Sequence, residues 1–217
     1  MNERAKALTE KSSYKVEDLR EIMELLRAPD GCPWDREQSH ASIRRDLIEE
    51  TYEVIEGIDK DDAEILCEEL GDLMLQVVFH ARIAEEAGRF NLDNVADGIC
   101  KKLILRHPHI FGDVVAETSD EVLKNWDAIK KVEKKQETNR AVLDAVSHSL
   151  PALIRADKIC GKAKKLGTAS ITPANISPDA VGEAILAIVA AAKAAGVDCE
   201  KALNDTLDAY IAAVPEE

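Results

Sequence analysis

LIEETYEVIEGIDKDDAEILCEELGDLMLQVVFH, residues Leu47 to His80, decides the fold. Its leucines and valines recur three or four residues apart, which predicts two helices joined by the turn IDKDD. The same faces carry Glu49, Glu50, Glu53, Glu69 and Asp72. Carboxylates brought together beside an apolar seam repel one another and are costly to desolvate. Residues three or four apart share a helix face, so Glu50 and Glu53 form one pair, Glu49 and Glu53 another, and Glu69 and Asp72 a third. A short connection makes the two helices antiparallel, with the acidic stripes facing. Such a cluster calls for a counter-charge, and hard oxygen donors suit Mg²⁺ or Mn²⁺. The competing reading is a solvated, glutamate-rich face. A di-iron bundle would need a histidine three residues after a glutamate, twice. Of the five histidines, His40, His80, His107, His109 and His148, only His40 is so placed, three after Glu37, and the second such pair is missing.

Outward from this stretch, helix formers dominate. A first helix is expected over Tyr14 to Leu26, then a break at APDGCPWD, Ala28 to Asp35. The acidic helices are expected over about Ser39 to Ile58 and from Asp61 or Asp62, as cap, to about Ala87. Gly88 ends the second. Their expected apolar stripes are Ile43, Leu47, Val54 and Ile58, and Leu66, Leu70, Leu73, Val77, Ala81 and Ala84. Further helices are expected over Leu92 to Arg106, Ser119 to about Gln136, Ser149 to Leu166 and Pro178 to Val214, with HPHIFGD a loop. No stretch alternates as a strand would, so the expected fold is an all-α helical bundle.

The 217 residues suffice for one fair-sized domain or two small ones. Apolar residues make up 46% and aromatics 4%, which makes the core aliphatic. A formal net charge of -14 argues against a nucleic-acid or membrane-surface binder. Five scattered cysteines without a CxxC pair read as reduced thiols. With no apolar run near the start and none long enough to span a bilayer, a cytoplasmic location is expected.

EExxE at Glu49 to Glu53, followed by ExxD at Glu69 to Asp72, resembles the signature of the MazG-type nucleoside triphosphate pyrophosphohydrolases. GCPWD at Gly31 to Asp35, EELGDLMLQVVFHARIAEEAGRF, KLILRHPHIFGD and WDAIKKVE resemble further blocks of that family. Leu105 stands where an arginine is common. The resemblance is close over roughly residues 14 to 137 and looser over SLPALIRADKICGKAKKLG.

The resemblance implies cleavage of a nucleoside triphosphate between the α- and β-phosphorus, giving the monophosphate and pyrophosphate. It implies Mg²⁺, for which Mn²⁺ can substitute, held by Glu50, Glu53, Glu69 and Asp72. Glu49 would be a ligand or a neighbour of one. Either Glu49 or Glu50 would take the proton of the attacking water. Lys102, Arg106, Trp126 and Lys130 would contact the substrate, although Lys130 also fits a solvated lysine run and Trp126 a core position. A homodimer is implied, because relatives pair the acidic helices across a two-fold axis. Residues 1–137 would form the catalytic domain and 138–217 a degenerate, non-catalytic second copy. Aligning Glu68–Arg82 with Asp179–Lys193 sets Ala180 opposite Glu69 and Glu183 opposite Asp72. The dozen residues between Leu166 and Asp179 leave no room for a second EExxE helix. A regulatory or interaction protein that kept the bundle and lost turnover is the competing class. A narrower preference for deoxynucleotides is a variant of the leading one.

Overall fold

The computed structural model describes residues 3–133, 138–168 and 176–215, and these contain helices and no strand. The chain forms two compact units, Met1–Ile104 and Leu105–Glu217. In the first, α1 (Glu3–Thr9) packs on α2 (Val16–Leu26), a short α3 (Pro33–Glu37) follows, and α4 (Arg44–Asp59) and α5 (Ala63–Glu86) form the acidic hairpin. Helix α6 (Leu92–Arg106) leads into the second unit. There the elements are α7 (Pro108–Phe111), α8 (Ser119–Glu133), α9 (Asn139–Asp144), α10 (Ala152–Leu166), a 3₁₀ turn (Pro178–Ala180), α11 (Val181–Ala194) and α12 (Cys199–Ala213).

The expected elements are present up to Leu166, and local chemistry explains their edges. Asp18 lies in the first turn of α2 and accepts from the Lys15 backbone N–H, which closes that end after Tyr14. GCPWD is not all loop: Pro33 occupies the first turn of α3, where its missing N–H costs nothing. Residues 39–43 form turns stitched by Ser39 and Ser42, so α4 begins later than expected. Asp62 caps α5, its side chain accepting from the N–H groups of Glu64 and Ile65. HPHIFGD contains the single-turn helix α7. The expected end of α8 near Gln136 lies outside the described residues, as does much of the stretch between Leu166 and Asp179. Pro178 to Val214 is not one helix. Gly196, at φ +70°, breaks it, and Asp198 caps α12 by accepting from Lys201 N–H.

The core of the first unit gathers Met23, Ile43, Val78 and Phe79, with Leu19, Leu26, Leu75, Ile83 and Leu92 packed against it. Helix α5 is apolar on more than one face. Val78, Phe79, Ala81 and Ala84 are buried, whereas Leu70 and Val77 of the expected stripe are exposed. A single 3.6-residue stripe could not separate these two faces. The second unit has its own core of Leu143, Val146, Ile159, Ala163, Leu207, Ile211 and Val214. Arg155 is fully buried within it, donating to Asn204 Oδ1 at 2.9 Å and Asp208 Oδ1 at 2.5 Å. No single described helix is long and apolar enough to cross a membrane. Pro178–Ala194 and Cys199–Ala213 pass that test only as a pair, bent by 105°.

Candidate metal centre

The acidic residues meet because α4 and α5 cross closely at a glycine. A Cβ on Gly57 would stand 2.9 Å from Leu66 N and 3.0 Å from Leu66 Cα, so no side chain fits there. The Asp62 N–H donates to Gly57 O at 3.1 Å and closes the turn. Glu53 and Glu50 lie about one and two turns before this crossing, and Glu69 and Asp72 about one and two turns after it. The hairpin therefore turns both acid pairs to the same region.

Glu50, Glu69 and Asp72 each present a carboxylate oxygen within 4.8 Å of the others, and all three side chains are partly buried. Glu53 is exposed, and its charge is among those that raise Glu50. Glu50 is held above the usual carboxylate range, first by desolvation and then by the charges of Asp72, Glu53 and Glu69. Glu69 is raised as well, by desolvation and by Glu53, Glu68, Asp72 and Glu56. Negative charge is thus concentrated in an all-oxygen donor set that suits a hard divalent cation. Glu49 is exposed and outside this cluster, with Arg45 Nε donating to it at 3.1 Å.

Of the expected substrate-binding residues, Lys102 and Arg106 both lie on α6 and Trp126 and Lys130 on α8. Lys102 is exposed on α6 of the first unit. In the second unit, Arg106 is buried and donates through Nε and Nη2 to Glu133 Oε2 at 2.9 and 2.8 Å. Its guanidinium lies 5.4 Å from the centre of the Trp126 ring, and Trp126 meets His107 edge-on at 4.9 Å. Lys130 lines a pocket with residues of α10.

One pairing was not legible in the sequence. His80, two turns beyond Asp72 on α5, stacks on His40, with Nδ1 to Nδ1 at 2.8 Å. Burial, and then the neighbouring imidazole, push His80 below its ordinary value. The two are 40 positions apart, and no local spacing announces them. Gln76, between Asp72 and His80, is buried, and its Oε1 has no hydrogen-bond partner among the described residues.

The fold and the carboxylate cluster define an all-α protein with three acidic side chains converging on one hairpin. Residues 38–111 match the MazG nucleotide pyrophosphohydrolase domain. The chain is 42% identical over 201 residues to a nucleoside triphosphate pyrophosphohydrolase of Escherichia coli, covering 92% of this chain and 76% of that protein. It is 45% identical to the nucleoside triphosphate pyrophosphohydrolase/pyrophosphatase MazG of Thermotoga maritima, over 70% of this chain and 57% of that protein. An uncharacterized protein, YabN, of Bacillus subtilis is 46% identical over 67% of this chain, which spans only 30% of YabN. The solved structure of a mazG-related protein from Thermotoga maritima aligns at 30% identity with a TM-score of 0.46, over 53% of this chain and 98% of that one. The chain belongs to the MazG family of nucleoside triphosphate pyrophosphohydrolases, hydrolases that act on acid anhydrides.

Proposed function

We propose that this chain hydrolyses nucleoside triphosphates to the monophosphate and pyrophosphate at the Glu50, Glu53, Glu69 and Asp72 site, as a nucleotide-pool house-cleaning enzyme. The observation that carries this reading is the convergence of the Glu50, Glu69 and Asp72 oxygens within 4.8 Å on a hairpin with the family's motifs. Mg²⁺, or Mn²⁺ in its place, fits this donor set and would supply charge neutralisation of the polyphosphate and a water of lowered pKa. Glu53, exposed beside the cluster, completes the ligand set. Glu49 or Glu50 accepts the proton of the attacking water. The partly buried walls around the carboxylates strengthen these interactions by lowering the local dielectric. Lys102, Arg106, Trp126 and Lys130 serve the substrate. For Arg106 the role is positioning, because its guanidinium is already committed to Glu133 and the Trp126 ring.

The functional unit in this reading is a homodimer. Support comes from the apolar side chains left open on the first unit: Ile48, Tyr52 and Ile55 of α4, and Leu70, Met74 and Val77 of α5, each more than 40% exposed. Monomeric proteins rarely leave so contiguous an apolar surface to water. Residues 138–217 act as a degenerate, non-catalytic second half, and the enzyme works in the cytoplasm.

The test is pyrophosphate release from a panel of ribo- and deoxynucleoside triphosphates, with Mg²⁺ and with EDTA. Release that stops in EDTA is expected. Absence of release from every nucleotide would favour the non-catalytic interaction protein instead.

A further inference from the structure

We infer that the second unit carries a metal-independent anion site, a pocket for a pyrophosphate-sized polyphosphate group lined by Lys130, Lys158 and Lys162. The pocket measures about 240 Å³. That is below the ~300–1,000 Å³ of sites for drug-sized ligands, so it suits a small group rather than a whole nucleotide. Lys158 and Lys162 stand one turn apart on α10, and Lys130 comes from α8. Like charges at this helical spacing weaken the helix, so the arrangement gains nothing for folding. Among the described residues neither Lys158 nor Lys162 has an ion-pair partner, and no acidic side chain lines the pocket.

The rest of the wall fits the same ligand class. Ser147 lines the pocket and its Oγ accepts from the Ser149 N–H at 3.3 Å, which leaves the hydroxyl proton to be donated. Val146 and Leu150 complete the lining with apolar side chains. Lys158 and Lys162 act as point charges on a phosphate chain. A chain of net charge -14 repels anions at a distance, so a local concentration of positive charge confines binding to this pocket. The ligand class follows from the proposed function, since a pyrophosphohydrolase both meets a triphosphate and releases pyrophosphate. Pyrophosphate held here would report product level to the enzyme.

The experiment is calorimetric titration of the full chain with inorganic pyrophosphate in EDTA at low ionic strength. Saturable one-to-one binding is expected. Lys158→Ala with Lys162→Ala should weaken it at least tenfold, while Lys158→Arg with Lys162→Arg should retain it. Glu50→Gln with Asp72→Asn, which disables the acidic site, should bind as the unaltered chain does. This separates the pocket from the metal centre, because without metal the titration does not depend on turnover. No heat up to millimolar pyrophosphate, undiminished binding in the alanine variant, or equal affinity for sulfate would overturn the inference. Should the alanine pair lose its helical circular dichroism, Lys158→Gln with Lys162→Gln gives the same reading.

Discussion

Glu50 is where the cost of the site is felt. Its carboxyl titrates above its ordinary value through burial and the neighbouring charges of Asp72, Glu53 and Glu69. A carboxyl whose pKa is raised on folding favours the native state while it is protonated. That contribution is complete below the unfolded value and is lost as pH rises through the folded one. In metal-free protein, Glu50→Gln therefore stabilises at neutral pH, by up to about 1 kcal/mol after solvent screening, or about 2–4 °C in Tm. The gain should disappear on acidification toward the ordinary glutamate range. Thermal melts across pH in EDTA check this, and an unchanged or lowered Tm at pH 7 would count against the charge cluster. His80 runs the other way. Its pKa is lowered by burial and then by His40, so its contribution is present above the unfolded value and lost as pH falls through the folded one. His80→Phe should flatten the acid side of the same melts.

At the scale of the element, the α4–α5 hairpin positions the acids, and Gly57 is its tightest point. Gly57→Ala sets a Cβ 2.9 Å from the backbone of α5, where nothing flexible can yield. Overpacking of this kind costs about 1–3 kcal/mol. Because the helices must separate, turnover should fall along with stability, whereas Gly71→Ala, with open space around it, should be tolerated. Denaturant melts and activity of the two variants decide the matter. A harmless Gly57→Ala would mean that the crossing does not set the site. In the second unit, the equivalent fixed point is Arg155 between Asn204 and Asp208. Asp208→Ala leaves a buried guanidinium short of a partner, a loss of about 1–3 kcal/mol, measurable by denaturant melts.

Much of this element scale was legible in the sequence. EExxE and ExxD on helix-period stripes announced the hairpin and the grouping of Glu50, Glu69 and Asp72. Asp62 was one of two caps the IDKDD turn offered. The rest depended on contacts that local spacing does not carry. Periodicity set Leu70 and Val77 on one inner stripe of α5, yet α2 covers Val78 and Phe79 and leaves those two open. Pro33 disguised a helix start as a break. Gly196 interrupts an alanine-rich run whose apolar pattern continues past it. Arg106 read as a cation for phosphate, and nothing nearby in sequence foretold Glu133, 27 positions on, as its partner.

For the whole molecule, two expectations follow. Light scattering at micromolar concentration should give twice the 23.8 kDa of the chain, because the proposed homodimer covers the open apolar faces of α4 and α5. A monomer would leave those residues unexplained. Asp179→Ala with Glu183→Ala should leave kcat unchanged, since two carboxylates with Ala180 in place of a third acid are too few to gather metal and triphosphate. The central claim is that Glu50, Glu69 and Asp72 bind the divalent cation on which cleavage depends. The most direct measurement is kcat for pyrophosphate release by Asp72→Asn under saturating nucleotide and Mg²⁺, with folding verified by circular dichroism. The account predicts a loss of well over tenfold, that is, more than about 1.4 kcal/mol of transition-state stabilisation, with Tm unchanged or raised. A folded Asp72→Asn that keeps more than about a tenth of the original kcat would contradict it.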